Sequence, residues 1–111
     1  MDSEPFQRGI ALFNRGEYFE AHEVLEEVWR AASTADKKFL QSLIQVAVGL
    51  HHYGNHNREG ARSLLARAHR NLQPYAETYG GVNLSVLRAA LGRAADALAG
   101  SGVVDVQSFK L

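Results

Sequence analysis

The order of apolar and polar positions predicts helices along nearly the whole chain. Phe6, Ile10 and Phe13 are spaced four and three apart, which is one buried stripe of a first helix. Ser3 can cap it, and Pro5 fits its first turn, where a missing N–H costs no hydrogen bond. Asn14-Arg15-Gly16 breaks it, with Gly16 as a natural residue just past the helix end. A second helix is expected from about Glu17 to Ala32. At about 100° per residue, Tyr18, Ala21, His22, Leu25, Val28, Trp29 and Ala32 share one face. The short break makes the first two helices antiparallel neighbours.

Ser33 or Thr34 caps a third helix, expected from about Asp36 to His52 or slightly beyond. Phe39, Leu40, Leu43, Ile44, Val46, Ala47, Val48 and Leu50 make it apolar nearly all round, the mark of a central helix. Its polar exceptions, Gln41, Gln45 and His52, fall within about 40° of one another and form one stripe. Asn57 caps a fourth helix from about Arg58 to Leu72, with Ala61, Leu64, Leu65, Ala68 and Leu72 inside. Arg58, Arg62, Arg67 and Arg70 lie on its outer face. Pro74 ends or restarts helix, and Gly80-Gly81 is a break. Asn83 or Ser85 caps a fifth helix ending near Ala99, closed by Gly100 and Gly102. The tail, residues 101–111, alternates weakly and is expected to be extended, docked or frayed. The pattern predicts one all-α domain over residues 1–111, an antiparallel bundle of about five helices.

Composition narrows the function classes. Lys plus Arg and Asp plus Glu are both 12, so the net charge is zero. That argues against strong, general nucleic-acid binding. There is no cysteine, which excludes a disulfide framework and a thiolate metal site. No apolar run approaches the roughly 18 residues of a membrane span. The start, MDSEPFQRG, is acidic and polar, unlike a signal peptide, so a soluble, cytoplasmic protein is expected. The partners left open are a small molecule or a second copy of the chain.

The candidate chemistry lies between Glu17 and Trp29. His22 shares the apolar face, Glu26 lies one turn along on nearly the same side, and Glu23 borders that face. Glu20, Glu27 and Arg30 point more to solvent. His22-Glu23-x-x-Glu26 is similar to the zinc-helix pattern H-E-x-x-H, with a carboxylate replacing the second histidine. One histidine with one or two carboxylates suits manganese, iron or zinc, but is too few ligands to close a site. Antiparallel packing of helices two and three would bring His52 level with His22, and Glu26 near Gln45. His22, Glu26 and His52 are therefore the candidate metal ligands, with Glu23 or Glu20 as a further ligand or general base. The alternative is a buried polar network in which His22 and Gln45 hydrogen-bond Glu26 with no metal. A pocket for an anion or small molecule is a third reading. His51 and His56, at a loop end, are expected to have no role. No glycine-rich phosphate loop and no nucleophile elbow occurs.

Three runs carry a family resemblance: FNRGEYFEAHEVLEEVWR, FLQSLIQVAVGLHHY and GARSLLARAHRNL. Together they resemble the domain-of-unknown-function 309 family from about Phe6 to Leu72. That family consists of small all-helical proteins grouped as predicted metal-dependent hydrolases. The resemblance implies a site drawn from Glu20, His22, Glu23, Glu26, Trp29, Gln41, Gln45, His52 and Asn57. Ser42 and His56 stand where the family usually has glycine. Two functions are carried forward: a metal-binding protein or metal-dependent hydrolase, and a non-catalytic helical interaction or structural module.

Overall fold

Five α-helices carry the fold in the computed structural model, which describes Met1 and residues 3–111. They are α1 (Glu4–Asn14), α2 (Tyr18–Ala31), α3 (Thr34–Gly54), α4 (Arg58–Leu72) and α5 (Leu84–Ala99). A small hairpin, β1 (Thr78–Tyr79) and β2 (Val82–Asn83), joins α4 to α5, and a 3-10 turn follows at Val106–Ser108. The chain is all-α in class.

The local signals act where their chemistry requires. The Ser3 hydroxyl accepts from the Phe6 N–H, the Asn57 side chain from Gly60, and that of Asn83 from Val86, each stopping the chain upstream of a helix. Gly16 ends the α1 segment with φ 83°, a conformation that costs an L residue but not glycine. Ser33 precedes α3 but makes no capping bond; its hydroxyl reaches Asp36 instead. The hairpin was not anticipated from Gly80-Gly81. Both glycines have positive φ, 59° and 79°, so they form a two-residue turn that pairs Tyr79 with Val82 rather than merely breaking the chain. His56 is the one non-glycine residue with positive φ (63°) among the described residues. The backbone there has the form expected of a position suited to glycine.

Each helix packs chiefly on its neighbours in sequence: α1 on α2, α2 on α3, α3 on α4, α4 on α5. The middle helix supplies Phe39, Leu40, Leu43, Val46, Ala47 and Leu50 to the core. Its Gly49 lies so close to α4 that a Cβ there would sit 2.9 Å from the Leu65 Cδ2. Ser42 is fully buried, and its hydroxyl donates to the Lys38 carbonyl at 2.9 Å, so no polar atom is stranded.

The tail is docked. Val104 and Phe109 are buried in the common core. The Val104 N–H donates to the Tyr53 hydroxyl at 2.9 Å, and the Leu111 N–H to the Asn14 side chain at 2.8 Å. Arg58 starts this strap: its guanidinium donates to the carbonyls of Ala97, Gly100 and Gly102, closing the C-terminal end of α5. It is thus tied to the chain rather than part of a free arginine face. No helix among the described residues is long and apolar enough to cross a membrane.

Candidate functional site

The α2 helix places His22 one turn before Glu26. The His22 Nδ1 lies 2.7 Å from the Phe19 carbonyl oxygen. A carbonyl can only accept, so Nδ1 carries the proton. In the neutral ring Nε2 is then an acceptor, and it lies 3.3 Å from the Glu26 Oε1. Two acceptors opposed in this way repel unless a proton or a cation lies between them. The His22 side chain is 18% exposed and that of Glu26 39%, so the gap is reachable from solvent. The other Glu26 oxygen lies 3.4 Å from an Arg30 guanidinium nitrogen.

This donor pair fits two adjacent positions of a divalent ion. Ligand atoms about 2.0–2.1 Å from a tetrahedral ion sit about 3.3–3.4 Å apart. The backbone carbonyl on Nδ1 is also the kind of partner that orients a ligating imidazole. The wider set does not assemble: among the described residues no three of His, Asp and Glu gather closely enough to hold a metal. His52 therefore does not join His22 and Glu26. The helix-two-facing imidazole is His51, whose ring centroid lies 5.2 Å from that of Phe19, which in turn lies 4.9 Å from His22.

Glu20 and Glu23 are exposed on α2. Gln41, with Ile44 on α3, lines a shallow cavity with Glu26, Trp29 and Arg30. Gln45 is 8% exposed, but it turns to α4: its amide oxygen is 3.5 Å from the Asn71 Nδ2, and it makes no bond to Glu26. Asn57 caps α4, its side chain accepting from the Gly60 N–H. Trp29 is half-buried. The Lys37 ammonium lies 4.2 Å over its ring, and its Nε1 is buried without a hydrogen-bond partner.

A family profile described as "Domain of unknown function (DUF309)" matches residues 6–64. The chain belongs to this family. The DUF309 segment runs from α1 into α4, so it holds the His22–Glu26 pair, Phe19 and His51, and leaves out α5 and the tail strap. An uncharacterized protein of Aquifex aeolicus (strain VF5) is 31% identical over 91 residues, 81% of this chain and 27% of that protein. The uncharacterized protein YpuF of Bacillus subtilis (strain 168) is 41% identical over 58 residues, 51% of this chain and 33% of that protein. The chain thus spans a third or less of the length of these DUF309 relatives. Sequence reasoning had not singled out Phe19, and it had expected no role for His51. The signal that could have found Phe19 is a large aromatic residue off the apolar face of α2.

Proposed function

We propose that the chain is a metal-binding helical module in which His22 and Glu26 supply two ligands to a divalent ion such as zinc, manganese or iron. The observation that supports this most is the 3.3 Å separation of the His22 Nε2 from a Glu26 carboxylate oxygen, a ligand–ligand length, with the Nδ1 of the same ring held by the Phe19 carbonyl. Two ligands leave the other positions to water or to groups from outside this chain. A bound divalent ion would polarise such a water, which is the chemistry a hydrolase of this type would use. Glu23 or Glu20, both exposed on the same helix, would serve as a further ligand or as the base acting on that water.

The second reading is a non-catalytic helical module in which a proton fills the same gap as an imidazolium–carboxylate pair. The absence of a third ligand among the described residues favours it. Metal analysis after zinc and manganese loading, together with thermal melting with and without chelator, separates the two. On the metal reading, wild type retains metal and loses stability on chelation, whereas His22→Gln does neither, because a ligand that binds only the folded state stabilises it. Metal-free wild type that ignores chelator would overturn the metal reading and the hydrolase reading with it.

A further inference from the structure

A second cavity, of about 600 Å³, opens between the start of α2 and the end of α3. Neither His22 nor Glu26 lines it, so it is separate from the proposed metal pair. Its volume is within the range of small-molecule sites. Its lining has a definite sign. Glu17 and Glu20 border it, and no lysine or arginine does. Glu17 is matched by Arg15 at 2.7 Å, but Glu20 has no ion-pair partner among the described residues. Gly54 and Asn55 bring the C-terminal end of α3 to the cavity, the negative end of a 21-residue helix dipole.

The rest of the lining is apolar or aromatic. Leu50 and Val106 are aliphatic walls, and the Phe19 ring is 46% exposed beside them. Burial pushes the Tyr18 hydroxyl pKa up, so it stays a neutral hydrogen-bonding group. The Asn55 side-chain nitrogen lies 3.1 Å from the His51 Nε2 and donates to it, which leaves the Asn55 amide oxygen free to accept. Negative charge, an exposed aromatic face, a free acceptor and aliphatic walls together suit a cation with a hydrocarbon body. A bare inorganic ion would leave the aliphatic walls without a partner.

We infer that this cavity binds a small organic cation of the alkylammonium class, with its charged head between Glu20 and Asn55 and its chain along Phe19, Leu50 and Val106. The test is a titration of the full chain with putrescine, followed by backbone amide NMR, beside 1,4-butanediol as a neutral analogue of equal length and magnesium as an inorganic cation. Saturable shifts confined to the residues around Phe19, Glu20, His51 and Asn55 are expected with putrescine alone. They should weaken several-fold in Glu20→Gln, an exposed change that leaves the core intact, and weaken again at high salt. Equal shifts with butanediol or magnesium would overturn the inference. So would putrescine shifts spread over acidic sites remote from the cavity, or no saturation at millimolar putrescine.

Discussion

Replacing Phe109 by alanine should lower the melting temperature sharply, although this residue lies far beyond the segment shared with the family. Its side chain is 1% exposed and belongs to the same core cluster as Phe6, Phe13 and Phe39. Truncating a buried phenylalanine costs about 3–5 kcal/mol through lost burial and the cavity left behind. For a domain of this size each kcal/mol moves the melting temperature by roughly 4 °C, so a fall of more than about 10 °C is expected. Val103 provides a control within the same strap. It is 83% exposed, and Val103→Ala should change stability by less than about 0.5 kcal/mol. Circular dichroism, with thermal and urea unfolding of both variants, reads the difference. Deleting residues 101–111 should be at least as damaging as Phe109→Ala, because it also removes Val104 and the bonds to Tyr53 and Asn14. A Phe109→Ala melting temperature within about 2 °C of wild type would refute the docked strap.

Gly49→Ala should destabilise by about 1–3 kcal/mol in urea unfolding, because the new methyl group meets the Leu65 side chain at 2.9 Å and this buried leucine, or the helix that carries it, must shift. Trp29→Phe should stay within about 1 kcal/mol of wild type in the same assay, because the buried Nε1 has no partner to lose. The hydrogen bond from the Tyr79 hydroxyl to Asp36, 2.7 Å, raises the tyrosine pKa above its usual 10.0. The folded chain therefore holds that proton more tightly than the unfolded chain, and the contribution is full below about pH 10 and lost as pH rises through the folded value. Melting between about pH 8 and 11 should show a shallower alkaline loss in Tyr79→Phe than in wild type.

The sequence made the helices legible because their signals are local. Asn57, Asn83 and Gly16 act within four residues of themselves, and the apolar stripes need only a period. The placement of the candidate residues was legible on one helix and not between two. His22 and Glu26 are one turn apart, so spacing alone brings them together. Whether His51 or His52 meets α2 depends on how α3 is rotated against its neighbour, and adjacent residues differ by about 100°. Gln45 illustrates the same limit: a stripe on a central helix is flanked by two others, and this residue turned to Asn71 on α4. The tail was left open because its anchors, Tyr53 and Asn14, lie 51 and 97 residues away from the atoms they hold. Gly80-Gly81 signalled a break, but the pairing of Tyr79 with Val82 follows from two positive φ angles that composition does not specify.

The His22 ring tests the central claim most directly. Nitrogen-15 NMR of its imidazole, recorded without metal at a pH where the ring is neutral and then during titration with zinc, reads both the tautomer and the ligand atom. The account predicts a proton on Nδ1 throughout, held by the Phe19 carbonyl, and a zinc-dependent shift of Nε2 that disappears in Glu26→Gln. A neutral ring protonated on Nε2, or an Nε2 resonance that zinc leaves unmoved, would contradict it.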